Sequence, residues 1–228
     1  MQMWYAVFMI DISQLPVWLP VVASIIALAI GVILHEVSHG WVANYLGDPT
    51  AKYAGRLSLN PIKHIDMWGT IVIPLVLIVT NAGFVFGWAK PVPVNYYNLK
   101  YGKYGPLLVA LAGPVTNFLI LLVCGLLYRI SPENTALPFL FLMIGLVSAI
   151  LMMFNLMPIP PLDGSKILFL FMDKRPDLIA RFEQYGMFVL LGVIILAPQV
   201  LNNFVFLPAF ALTAHIMGVP VADILHIL

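Results

Sequence analysis

The chain has 228 residues, of which 62% are hydrophobic and 9% charged, with a mean hydropathy of +1.00. A soluble domain carries roughly 25% charged residues, so this composition describes an integral membrane protein. The net charge of +1, without a dense basic stripe, argues against a nucleic-acid partner, and the single cysteine, Cys124, can form neither an internal disulfide nor a thiolate metal site.

Several apolar runs reach the length of about 20 residues that a helix needs to cross the hydrocarbon layer. None alternates as the strands of an outer-membrane barrel do. The expected fold is an all-α polytopic membrane protein of about 4–6 transmembrane helices. Residues 1–16 are mixed and aromatic and are expected at one interface, where Trp4, Tyr5 and the nearby Trp18 are anchors. Met1 to Ile10 lacks the basic and small-residue features of a cleaved signal peptide. A first membrane helix is expected from about Val17 to Leu46, stopped by Gly47-Asp48-Pro49. Its later part carries His35-Glu36-Val37-Ser38-His39, an H-E-x-x-H. On a helix, His35 and His39 lie one turn apart on one face, with Glu36 beside them. Neutral imidazoles suit Zn²⁺, and three protein ligands leave a fourth position for water that a neighbouring carboxylate can deprotonate. From Val17 to Leu34 there is no charged residue. Ionisable groups at the end of so apolar a segment mark a functional site, because lipid makes them costly.

Thr50 to Asp66 carries Lys52, Arg56 and Lys63, which places this loop on the cytoplasmic side. Met67 to Phe86 is apolar but interrupted by Pro74 and Asn81-Ala82-Gly83, and it leads into Gly87-Trp88-Ala89-Lys90-Pro91-Val92-Pro93-Val94-Asn95, whose prolines forbid a continuous helix. Lys90, Lys100 and Lys103 again indicate the cytoplasmic side. The stretch is therefore expected to enter and return as a short re-entrant extended or β element, tolerable at membrane depth only under protein cover or beside a water-filled cavity. Gly105 to Tyr128 makes the next crossing, with Pro114 expected to kink it. Arg129 to Asn134 forms an outer loop, and Ala136 to Met157 crosses back into Asn155-Leu156-Met157-Pro158-Ile159-Pro160-Pro161-Leu162-Asp163-Gly164. Ser165 to Met172 reads as a short helix, Asp173 to Arg181 as a charged connection, and Phe182 to Leu228 as two apolar pieces divided near Pro198 to Asn203.

Two histidines need a third protein ligand. Asp163 is the best candidate, after a helix end returned to the cytoplasmic side; Asp48, Asp66 and His64 are the alternatives. Asp48 reads as a turn residue before proline, and His64-Ile65-Asp66 as a pair supporting the ligands or anchoring the loop.

With these residues in view, the chain resembles the site-2 protease family of intramembrane zinc metalloproteases. The H-E-x-x-H, the Gly87 to Asn95 stretch, Ala112-Gly113-Pro114-Val115-Thr116-Asn117, and Asn155 through Gly164 occur in family order across most of Val32 to Gly164. The resemblance implies one Zn²⁺ per chain held by His35, His39 and Asp163, Glu36 as the catalytic acid/base, and Asn155 at the substrate carbonyl or its oxyanion. It also implies that the Gly87 to Asn95 stretch presents an edge to an extended substrate. Many relatives carry a PDZ or CBS domain; none fits here, so gating is expected from membrane segments or a partner. Tyr96 stands where relatives often have proline.

The expected organisation is one membrane-embedded zinc metalloprotease domain over residues 1–228, with a catalytic core at 17–164 and C-terminal helices at 165–228. The expected activity is hydrolysis of peptide bonds within or near transmembrane segments, on a multi-pass protein of the plasma membrane whose active site faces the cytoplasm. Its partners would be a transmembrane protein substrate and the lipid bilayer, with a second copy or a regulatory membrane protein also compatible. The competing reading is a non-catalytic metal-binding membrane protein or transporter, which would use Glu36 as a ligand rather than as a base.

Overall fold

The computed structural model describes residues 16, 18–81, 87–132 and 135–225. The expected interfacial role of residues 1–15, the Ala82-Gly83 interruption and the Glu133-Asn134 end of the outer loop fall outside them. Among the described residues the chain is helical and no strand forms. Among the described residues, five helices are long and apolar enough to span a membrane: Trp18–Tyr45 (α1), Tyr104–Ile130 (α4), Leu137–Asn155 (α5), Pro176–Leu196 (α7) and the continuous run Pro198–Met217. That last run joins α8 (Pro198–Leu201), a π-helical turn at Asn202–Phe206 and α9 (Leu207–Met217). Shorter elements are α2 (Thr50–Tyr53), α3 (Ile73–Val79) preceded by a π-helical turn at Met67–Val72, α6 (Ser165–Phe171) and α10 (Val221–Leu225).

The spans follow from composition: an uninterrupted apolar run can satisfy its backbone in lipid only by coiling on itself. Their ends follow from local chemistry. α1 stops where Gly47 takes φ +107°, a conformation that suits glycine, and the Asp48 N–H reaches back to the Ala43 carbonyl at 2.9 Å. α7 begins at Pro176, with Asp177 in its first turn. Pro at the first helical position and an acid beside the helix N-terminus both favour that start, so Pro176–Arg181 belongs to a helix rather than to a connection. Met67–Val79 is an apolar helix too short to cross by itself.

The contacts divide the chain into two compact units, one formed by residues 32–113 and the other by 1–31 with 114–228. In the larger unit the core gathers Ala23 and Ala27 of α1, Leu121, Cys124 and Tyr128 of α4, Phe139, Leu142, Leu146 and Ala149 of α5, and Ala209, Phe210 and Ala214 of α9. Small residues let these helices approach, as membrane helices do where lipid gives no hydrophobic drive. Gly31 lies against Leu151 and Ser148, and Gly145 against Met217 and Leu121. α5 is the most covered span and α7 the least.

The smaller unit is built differently. It combines the later turns of α1, the 46–66 loop, the short helix Met67–Val79, residues 87–103 and the first turns of α4. Its apolar cluster is modest, with Ala43, Leu46 and Val109 at the centre and Val42, Val94 and Leu99 around them. Polar side chains tie its irregular segments together instead.

Candidate active site

α1 places the H-E-x-x-H in its second half, in the smaller unit. His35 is buried, with only 6% exposed, while Glu36 and His39 are half-buried. The two imidazoles meet edge to face with ring centroids 4.6 Å apart, and a ring nitrogen of each lies within 4.8 Å of one on the other. One metal ion can therefore be shared between them.

Each ring is fixed by the first turns of α4. His39 Nδ1 lies 2.7 Å from the Val109 carbonyl oxygen, so the Nδ1–H donates and the tautomer that presents the Nε2 lone pair to a metal is selected. Pro114 cannot donate to the Ala110 carbonyl, which opens the α4 ladder beside Val109. His35 packs on Gly113, where any Cβ would run into the ring. The close approach that this glycine allows is that of the His35 ring. The Ser38 hydroxyl donates to the His35 carbonyl at 2.6 Å, keeping this polar side chain on its own helix. Two buried or half-buried imidazoles with one tautomer set by a carbonyl form a donor set that fits Zn²⁺.

Glu36 carries a contact that the sequence did not disclose. Its Oε2 accepts a 2.8 Å hydrogen bond from the Val92 backbone N–H, within the proline-spaced stretch. That stretch is extended but unpaired as a strand, and its polar groups alternate. Trp88 N–H donates to the Gly69 carbonyl (3.1 Å) and its carbonyl accepts from the Thr70 hydroxyl (2.9 Å). Lys90 N–H donates to the His64 carbonyl (2.9 Å) and its carbonyl accepts from Arg56 Nη2 (2.6 Å). The backbone polar groups of residues 88 and 90 and the N–H of residue 92 thus turn to the protein. Pro91 and Pro93 fall on the other side, where their missing donors cost nothing.

The alternative third ligands make other contacts, and among the described residues none of them groups with His35 and His39 closely enough to share a metal ion. Asp48, fully buried, accepts at Oδ1 from the Thr50 N–H (3.2 Å), the Thr50 hydroxyl and Asn98 Nδ2 (3.0 Å), and at Oδ2 from the Asn95 N–H (2.7 Å). Burial alone would raise its pKa, but these hydrogen bonds outweigh it and hold the carboxyl below its ordinary value. His64 Nε2 contacts the Ser58 carbonyl at 2.7 Å. Asp66 caps the helix at Met67, accepting from the Gly69 N–H at 2.7 Å. His64 and Asp66 therefore anchor the loop, the second of the two roles their sequence allowed.

Asp163 and Asn155 lie in the larger unit. α5 ends at Asn155, and the proline-rich turn after it, with a cis Pro160–Pro161 bond, doubles back until the Gly164 N–H donates to the Asn155 carbonyl at 2.7 Å. Gly164 is pressed on the Leu156–Met157 backbone, where a side chain has no room. This closure sets half-buried Asp163 next to the end of α5. Asn155 Nδ2 donates to the Leu151 carbonyl at 2.9 Å, which uses one of the amide's two N–H donors.

Comparison with known proteins agrees with this chemistry. A family model described as Peptidase family M50 matches residues 127–197, which include the Asn155 to Gly164 turn. Three similar proteins carry the name putative zinc metalloprotease. YwhC of Bacillus subtilis is 38% identical over 180 residues, covering 73% of this chain and 77% of its own. Rip2 of Mycolicibacterium smegmatis is 28% identical, with 76% of this chain and 66% of its own covered. MJ0611 of Methanocaldococcus jannaschii is 29% identical, with 64% and 69% covered. No solved structure matches. The chain belongs to peptidase family M50, the site-2 protease family of zinc metalloproteases, and is a metalloprotease of the membrane.

Proposed function

We propose that this protein hydrolyses peptide bonds within or near transmembrane segments of other membrane proteins, with Glu36 as general base and acid. The observation that carries the reading is the pairing of His35 and His39 beside Glu36 on α1, a helix long and apolar enough to span the membrane. His35, His39 and Asp163 would hold the zinc. Among the described residues no alternative carboxylate or histidine of the smaller unit groups with His35 and His39, and Asp163 follows a proline-broken turn that closes on Asn155.

Zinc, when bound, lowers the pKa of water from about 15.7 to roughly 7 and polarises a carbonyl. The protein's own groups do the rest. With Oε2 of Glu36 held by the Val92 N–H, the other carboxylate oxygen takes the proton of the attacking water and later delivers it to the leaving amine. The second N–H of the Asn155 amide donates to the oxyanion that forms at the scissile carbonyl. Asn155→Ala would then lower kcat by about 10²–10³-fold, as loss of one such donor does elsewhere.

The substrate enters extended. By the alternation of an extended chain, residues 89, 91 and 93 turn their carbonyls away from the Gly69, His64 and Glu36 contacts, and two of the three are prolines without a donor. This edge accepts hydrogen bonds far better than it donates them, so it would hold the N–H groups of an unwound substrate segment. The lysines at 52, 63, 90, 100 and 103 support, by the positive-inside rule, an edge and metal ligands toward the cytoplasm, in what we propose is a multi-pass protein of the plasma membrane.

The test is co-expression with single-span reporter proteins, comparing the chain with Glu36→Gln. Cleavage by the first and none by the second, both with full zinc, supports the proposal. Equal zinc and no cleavage of any reporter by either form favours a metal-binding membrane protein without catalysis.

A further inference from the structure

Asp48 has no place in the chemistry above, yet it is one of the most completely buried polar side chains among the described residues. It sits just past the end of the helix that carries the H-E-x-x-H and collects four hydrogen bonds, all from neutral donors. Two of those donors, Asn95 N–H and Asn98 Nδ2, belong to the segment that continues from the proline-spaced stretch. Beside it the Lys100 N–H donates to the Leu46 carbonyl at 2.9 Å, and Gly47 comes so close that a Cβ there would lie 3.2 Å from the Asn98 carbonyl oxygen. The end of α1 and residues 95–100 are thus joined directly, three residues beyond the N–H that holds Glu36.

A buried carboxylate without a positive partner is costly unless its lone pairs are filled, and a simple turn after a helix needs none. What this one secures is register. Pro91 and Pro93 cannot donate, so between Lys90 and Asn95 the stretch has few backbone bonds with which to hold itself in place. Arg56 and His64 fix it at Lys90, and Asp48 fixes it at Asn95. Val92 lies between the two anchors.

We propose that Asp48 is a positioning residue: by holding Asn95 and Asn98 it sets the register of residues 90–95 that puts the Val92 N–H on Glu36. The inference rests on the reading of Glu36 as the base, but its first readout does not depend on activity. In Asp48→Asn the amide replaces an acceptor with a donor, so the Asn95 and Asn98 contacts cannot all be kept. Hydrogen exchange at the Val92 amide is expected to rise in this variant, while zinc content and the α1 helix stay as in the parent. In turnover, kcat falls by about 10²-fold with KM changed little, since small misplacement of a reacting group costs that much.

Val92→Pro removes the same N–H directly and is expected to give a similar loss. The double variant is expected to lose no more than the worse single one, because both act on one contact. Asp48→Glu, which keeps the charge, restores part of kcat. If Asp48→Asn does not accumulate as folded protein, Asn98→Ala, which removes one donor to the same carboxylate, takes its place in the cycle. Unchanged Val92 exchange, losses that multiply in the double variant, or a raised KM at constant kcat each overturn the proposal. Retained cleavage by Glu36→Gln would instead overturn the proposed function, and the exchange result would stand apart from it.

Discussion

The two units are stabilised by opposite means. The larger one, residues 1–31 with 114–228, is a pack of apolar helices in which glycine and alanine let side chains mesh: Leu121, Phe139, Leu142 and Leu146 are buried at 2% exposure or less. The smaller one, residues 32–113, has few buried apolar groups and is held by Asp48, Arg56, His64 and Asp66, each bonded to the backbone of an irregular segment. The difference follows from what each must do. Helices satisfy their own backbone and need only packing, whereas extended backbone outside any helix or sheet must find other partners for its N–H and C=O groups. Polar fixing is the physical requirement of an open edge.

If that contrast is right, changes in the two units should fail differently. The largest effect is expected from His39→Ala, which removes a proposed ligand whose tautomer is set by Val109. Zinc measured on purified protein should be lost and cleavage with it, while the helices remain by circular dichroism. Asp163→Ala, the corresponding change in the larger unit, should also lower zinc content; full zinc in that variant would remove Asp163 from the ligand set. Next comes Gly113→Ala, which crowds the ring of His35 without removing any proposed ligand. Metal affinity should fall by about 10–100-fold, the range seen when groups behind metal ligands are changed, and competition with a chelator would read it.

In the larger unit, Leu146→Ala should cost about 2–5 kcal/mol of stability and leave zinc stoichiometry at one per chain. Thermal unfolding in detergent with parallel metal analysis separates the two outcomes. The smallest effect is expected from pH. Asp48 has a folded pKa below its ordinary value, so its contribution to stability is present above the unfolded value of about 3.9 and is lost as pH falls through the folded pKa. The parent should therefore lose more stability than Asp48→Asn in that acid range, and the two should run parallel near neutral pH.

Much of this organisation is legible in the residues, for identifiable reasons. The uncharged run before His35 and the Gly47-Asp48-Pro49 stop mark α1 to within a residue or two of its observed ends. The H-E-x-x-H needs only helical periodicity to bring His35 and His39 together. The Asn155 to Gly164 turn is visible from its prolines and its Asp-Gly pair. What stays hidden is held by backbone groups, which have no letter in a sequence: the Val92 N–H on Glu36, the Val109 carbonyl on His39, and the room left at Gly113. Asp48 reads as a turn residue because its partners, Asn95 and Asn98, are nearly fifty positions away, although an Asp followed two residues later by Thr does signal a side chain turned back onto the chain. Asp173 to Arg181 reads as a connection because its charges mask the helix start that Pro176 and Asp177 supply. The re-entrant extended or β element expected at Met67 to Asn95 is not shown: residues 88–95 form no paired strand, and residues 82–86 lie outside the described part of the chain.

The central claim is that Glu36 is a base held in place beside a metal it does not ligate. The most direct measurement is zinc content and single-span substrate cleavage of Glu36→Gln in reconstituted membranes, side by side with the parent. Full zinc with cleavage reduced by at least about 10²–10⁴-fold, the usual contribution of a general acid–base group, is the expected result; zinc lost together with activity would make Glu36 a ligand and contradict the account.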